Sequence, residues 1–136
     1  MDPGPVRPTP QPDADTAEFW AATLDGRLRI QRCSACQRYI HYPRIVCPWC
    51  MSDDLGFEDV SGRGVVYSYT LVHRAPAAFA DEAPYLVALV DLDVGVRMLT
   101  RLVGVPTDVD VIDLPVQVTF RPMSDTAALP FFEPQP

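Results

Sequence analysis

Cys33-Ser34-Ala35-Cys36 and Cys47-Pro48-Trp49-Cys50, ten residues apart, hold all four cysteines of this 136-residue chain. A C-x-x-C turn aims two thiolates at one point, and two such turns complete the tetrahedral all-sulfur shell that suits Zn²⁺. Cys33, Cys36, Cys47 and Cys50 are therefore the expected metal ligands. With the shell closed by protein sulfur, no position is left for water or substrate, and the expected role of the zinc is structural. Rubredoxin-like iron would use the same geometry, and the spacing does not separate the two metals. Two disulfides would need an oxidising compartment, which the proline-rich, polar start, without a signal-peptide pattern, gives no reason to expect. His41, between the two pairs, reads as a bystander because four thiolates suffice.

Composition narrows the chemistry further. Lysine is absent and all eleven basic residues are Arg, which removes Schiff-base and lysine-nucleophile mechanisms from this chain. No apolar run approaches the ~20 residues needed to cross a bilayer, so a cytoplasmic protein is expected. The net charge of −7 is uneven. Between Gly26 and Ser52 lie Arg27, Arg29, Arg32, Arg38 and Arg44 and no Asp or Glu, so a basic ribbon is expected on an acidic body. Such a patch can steer phosphate groups or an acidic partner, and solvated surface arginines are the competing reading.

In chain order, residues 1–12 contain five prolines and read as an extended tail or linker. Residues 13–26 read as a short helix, with Asp13 or Asp15 to cap it, an apolar stripe at Phe19, Trp20 and Leu24, and Gly26 as the left-handed stop. Arg27 to Arg32 alternates with period two and enters the first knuckle as a strand; the ribbon is taken to span 27–60. After Ser61-Gly62-Arg63-Gly64, the stretches Val65 to Arg74, Tyr85 to Asp93, Val96 to Val103 and Pro115 to Arg121 are rich in β-branched and aromatic residues, with a turn at Asp93-Val94-Gly95. The expected fold is mainly β: a short N-terminal helix, a rubredoxin-like zinc ribbon, and a five-stranded OB-like barrel over 61–122. Residues 123–136 read as an apolar C-terminal tail lying on a surface.

This order, with Phe19-Trp20, Leu28 to Cys36, Pro43-Arg44, Cys47 to Cys50, Ser61 to Ser68, Pro84-Tyr85 and Val116 to Phe120, resembles a family long known only as a domain of unknown function. In that family a rubredoxin-like zinc ribbon precedes an OB-fold. One departure is Ile112-Asp113-Leu114-Pro115, where the family usually has glycine before its last strand. The resemblance implies an acyl-CoA setting. Its members resemble accessory subunits or fused domains accompanying thiolase-superfamily enzymes, among them lipid-transfer-type aldolases of steroid side-chain breakdown and the hydratases acting before them.

No serine or cysteine stands beside a recognisable base, so no catalytic residue is assigned. Together with this, the resemblance implies a non-catalytic but required subunit, forming a hetero-oligomer with a thiolase-like partner and sharing an acyl-CoA site with it, for retro-aldol C–C cleavage of a steroid side-chain CoA ester. Expected ligand or partner contacts are Arg29, Arg32, Arg44, His73, Arg74, Phe79 and Tyr85; expected partner-docking side chains are Phe19, Trp20 and Trp49. Two alternatives stay open. One is a free-standing acyl-CoA-binding protein. The other is a single-stranded nucleic-acid module, disfavoured because the barrel carries the negative excess.

Overall fold

The computed structural model describes residues 7–136. Of the proline-rich stretch 1–12, residues 1–6 lie outside the described residues. The chain runs α1 (Ala17–Leu24), β1 (Arg29–Cys33), β2 (Tyr39–Ile40), β3 (Leu55–Asp59), β4 (Arg63–Val72), a 3₁₀ turn (Ala77–Glu82), β5 (Tyr85–Leu92), β6 (Arg97–Leu102), β7 (Pro115–Pro122) and β8 (Ala128–Pro134). Two sheets result: a small one in the order β2-β1-β3, and a closed barrel in the order β4-β5-β6-β8-β7. The mainly β class, the four-cysteine ribbon and the five-stranded barrel are as the residue pattern predicts.

Helix α1 is shorter than the 13–26 expected, because the residues around it serve as caps. The Asp13 carbonyl and carboxylate both accept the Thr16 N–H, and Asp15 N–H also donates to that carboxylate. At the other end Gly26 turns left-handed at φ 71° while Arg27 N–H donates to the Ala22 carbonyl. Phe19, Trp20, Ala22 and Thr23 form the buried face, and Leu24, expected in the stripe, is exposed. Thr23 takes the core position because its hydroxyl is satisfied twice. It donates to the Trp20 carbonyl at 2.6 Å and accepts the Ala128 N–H of β8 at 3.0 Å.

The barrel follows from alternation. Leu86, Ala88, Val90 and Leu92 of β5 point inward, and they meet Val66, Met98, Leu102, Val116 and Phe132 from the other strands. Strand β4 bends at a register shift between Val66 and Ser68, so it pairs with β5 along its length and with β7 only at Arg63–Val65. Two glycines before the bend have local reasons of their own. Gly62 has φ 75°, and a Cβ on Gly64 would lie 2.4 Å from the Asp91 carbonyl oxygen. Asp113, standing where the related family has glycine, adopts a left-handed φ of 64°, a conformation Asp tolerates better than most residues.

The C-terminal segment corrects the sequence reading. Residues 128–134 are the fifth barrel strand instead of a surface tail, and Phe132 is wholly buried in the core. Prolines at 130 and 134 argue against a strand. They are accommodated because β8 pairs with β7 from Ala128 to Pro134, whereas its β6 side has one bridge, Leu102 to Phe132. Replacing Thr23 by Val is expected to strand the Ala128 N–H in the core and cost about 1–3 kcal/mol, read as a lower urea midpoint at unchanged m-value.

Candidate metal centre and the groove beside it

The two knuckles are built alike. Gln37 N–H donates to the Cys33 carbonyl at 2.8 Å and Met51 N–H to the Cys47 carbonyl at 3.0 Å. Each turn is then closed by a bond from the first cysteine's N–H, Cys33 to the Arg38 carbonyl and Cys47 to the Ser52 carbonyl. Gln37 and Met51 both take left-handed φ, 67° and 66°. The turns bring the four Sγ atoms within 4.8 Å of one another, with Cys33 to Cys50 at 3.6 Å and Cys36 to Cys47 at 3.7 Å. Sulfur atoms bound to zinc at ~2.3 Å in a tetrahedron stand about 3.8 Å apart, so the donor set fits Zn²⁺. Cys33 and Cys47 are fully buried. Cys33, Cys36, Cys47 and Cys50 thus form a structural zinc site in which every donor is protein sulfur.

The ribbon's arginines do not make one basic face. Arg27 pairs with Asp59, Arg29 with Glu18 and Asp59, and Arg32 with Glu58. The acids come from α1 and β3, outside the acid-free window 26–52, and fold back over it. Arg38 and Arg44 have no ion-pair partner among the described residues. The Arg44 backbone is nonetheless fixed, since buried Gln31 accepts its N–H at 2.8 Å and donates to its carbonyl at 2.7 Å. Arg38 lies 5.0 Å from the centroid of the Trp49 indole, which is 58% exposed.

The remaining expected contacts lie elsewhere. His73 and Arg74 are exposed just beyond the end of β4. Phe79, on the 3₁₀ turn, is covered by Arg7, whose Nε–H also donates to the Ala78 carbonyl. Tyr85 lies under Arg101, which pairs with Glu82. Glu82 is held below the usual carboxylate range, first by that Arg101 hydrogen bond. Phe19 and Trp20, expected to dock a partner, are core residues, 1% and 7% exposed. They meet Tyr42 and His41 of the ribbon, and the Trp20 indole N–H donates to the Tyr42 hydroxyl at 2.8 Å. Enclosure among these rings pushes His41 down to about 4, and its buried Nδ1 has no hydrogen-bond partner among the described residues.

Between the second knuckle and the β5–β6 hairpin runs an open groove that sequence reasoning did not find. Its two lobes, of about 470 and 350 Å³, share Tyr39, Trp49 and Gly95. Arg38 lies in one lobe, and Arg44, His41 and Arg97 in the other. Across His41 and Tyr42 a smaller recess of about 210 Å³ opens among Phe19, Trp20, Met98, Leu129 and Phe131. Of the groove's lining, Arg44 and Trp49 are expected contacts from the sequence; Arg97 carries no such signal.

Fold and metal shell together define a zinc-ribbon and OB-fold protein. The ChsH2 rubredoxin-like zinc ribbon domain family matches residues 20–56, and the ChsH2 C-terminal OB-fold domain family matches 57–121. The chain belongs to this ChsH2, or DUF35, family. It is 40% identical over 132 residues to a probable enoyl-CoA hydratase alpha subunit of Thermomonospora curvata, covering 97% of this chain and 41% of that protein. It is 35% identical over 117 residues to the 3-oxo-4,17-pregnadiene-20-carboxyl-CoA hydratase alpha subunit of Mycobacterium tuberculosis, covering 85% of this chain and 37% of that protein. The chain therefore spans about two fifths of the length of these curated relatives. A solved structure described as an Ltp2-ChsH2(DUF35) aldolase superposes with a TM-score of 0.83 at 40% identity, covering 93% of this chain and 98% of that one.

Two outcomes are expected. Cys47→Ser should abolish stoichiometric zinc binding and unfold the ribbon while much of the barrel's β circular dichroism remains. Second, below the ordinary His value of 6.5 the unfolded chain takes up a proton that folded His41 refuses. Stability should therefore fall as pH drops from 6.5 toward about 4, by roughly 2 kcal/mol between pH 7 and 5. Glu58, lowered first by the Tyr39 hydrogen bond, and Glu82 add a loss of the same sign at lower pH. Urea melts with zinc in excess should show the slope, and His41→Phe should flatten it between pH 7 and 5.

Proposed function

We propose that this chain is a non-catalytic but required subunit, or the equivalent domain of a longer one, that binds a thiolase-superfamily partner of the lipid-transfer type. It helps form that partner's acyl-CoA site for retro-aldol C–C cleavage of a steroid side-chain CoA ester. The observation that carries this is the near-complete superposition on the ChsH2(DUF35) chain of an aldolase, at 40% identity. The hydratase alpha subunits among its relatives support the CoA-ester setting.

The chain's own chemistry agrees with a supporting role. Its four thiols converge on the zinc site. His41 is enclosed by aromatic rings and His73 is exposed at a strand end, and neither hydrogen-bonds a hydroxyl, thiol or carboxylate among the described residues. The partner therefore supplies the base that starts C–C cleavage and the acid that protonates the departing carbanion. Ile45 and Met51, 67% and 74% exposed beside the second knuckle, support the ribbon as the docking side. Arg44 keeps its place as a ligand contact, whereas the ion pairs of Arg29 and Arg32 favour a structural part for those two.

Reconstitution tests the reading. The chain alone should release no ketone or aldehyde from a steroid side-chain CoA ester, and the thiolase-like partner alone should be inactive or nearly so. Co-purified, the two should be active. Full activity of the isolated partner would overturn the proposal, and tight CoA-ester binding by the chain alone would favour a free-standing binder.

A further inference from the structure

We infer that the groove between the second zinc knuckle and the β5–β6 hairpin is a nucleotide site. It takes the phosphoadenosine end of the CoA ester, with the base against Trp49 and Arg38 and the phosphates on Arg38 and Arg44. The identity of the ligand rests on the acyl-CoA reading above; the site itself rests on the following geometry.

Charge is the first argument. Across both lobes the lining includes Arg38, Arg44 and Arg97 and not one Asp or Glu, in a chain with 18 acidic residues against 11 basic ones. The carboxylates held by groove residues are already engaged. Asp91 takes Arg97 in a two-point pair at 2.6 and 3.1 Å, and Glu58 takes Arg32 and the Tyr39 hydroxyl. Arg97 is thereby neutralised. Arg38, stacked on Trp49, and Arg44 have no ion-pair partner among the described residues, and their planar forks suit phosphate oxygens.

The second argument is preorganisation. An exposed indole costs solubility unless it has a use, and here it is mounted between two metal ligands, with the Trp49 backbone N–H directed at Cys47 Sγ at 3.4 Å. Arg38 is anchored through its carbonyl to the Cys33 N–H, and Arg44 through both backbone groups to Gln31. All three side chains thus project from backbone fixed by the ribbon. Aromatic and guanidinium planes together form a stacking platform for a base. The lobes fall within the ~300–1,000 Å³ usual for ligand sites.

Direction supplies the third. His41 lines both the Arg44 lobe and the apolar recess of Phe19, Met98 and Phe131. A ligand with its nucleotide at Trp49 therefore meets an apolar continuation past His41, which suits a CoA ester better than a bare nucleotide.

The test uses coenzyme A, adenosine 3′,5′-bisphosphate and inorganic phosphate as probes. Both tryptophans emit, but Trp20 is buried and Trp49 is 58% exposed, so quenching by direct contact with a ligand reports on Trp49. Coenzyme A and the bisphosphate should quench it and phosphate should not. Arg38→Ala and Arg44→Ala should each weaken binding about tenfold, with zinc content unchanged, and Arg27→Ala, whose partners Asp25 and Asp59 lie outside the groove, should leave it as it was. In the reconstituted complex the same two variants should raise KM for the CoA ester while largely preserving kcat. Unchanged KM in a complex that needs this chain would overturn the groove and leave the subunit reading intact. Nucleotide binding that depends on Arg38 and Arg44, beside a partner that is active alone, would do the reverse. Displacement of coenzyme A by a short single-stranded oligonucleotide at lower concentration would also overturn the assignment.

Discussion

Four sulfur atoms converging on one point hold the first half of this molecule together. The ribbon has almost no core of its own: Cys33, Ile40 and Cys47 are its buried cluster, with Cys36 and Leu55 packed against them. So little apolar surface cannot offset the entropy of ordering two turns and three short strands. The metal replaces the missing core, and it fixes the two left-handed turns from which Arg38 and Trp49 project.

The ribbon is then joined to the barrel by aromatic rings. Phe19 and Trp20 stand edge to face with centroids 4.9 Å apart, and Tyr42 and His41 close the group from the ribbon side. Leu28 and Ile30 of the ribbon's leading segment belong to the same buried cluster as Val66, Val90 and Phe132 of the barrel. Helix, ribbon and barrel thus share one core, which gives the groove between ribbon and hairpin two walls of fixed separation.

What could be read in the sequence was what is local. The C-x-x-C pairs, the helix stop at Gly26 and the strand-forming composition of β5 are set by neighbours in the chain, and all were legible. The closing strand was hidden because Pro130 and Pro134 obey the geometry of a barrel seam that only the assembled sheet reveals. The basic ribbon proved mostly neutral because Glu18, Glu58 and Asp59 reach it from outside the window in which charge was counted. Likewise Trp20 looked available for a partner until Tyr42, 22 residues away, was seen to cover it.

The bond from Ala128 to Thr23 spans 105 residues, nearly the whole described chain. During synthesis the ribbon can gather its metal once β3 has emerged, long before β8 exists. The barrel cannot close until residue 132 supplies the phenylalanine at its centre. Until then helix α1 presents Phe19 and a Thr23 hydroxyl whose acceptor side is unpaired over an open cylinder. Order of emergence therefore divides the molecule differently from its architecture: an early, metal-dependent ribbon, and a late step in which the final strand seals the barrel and seats the first helix together.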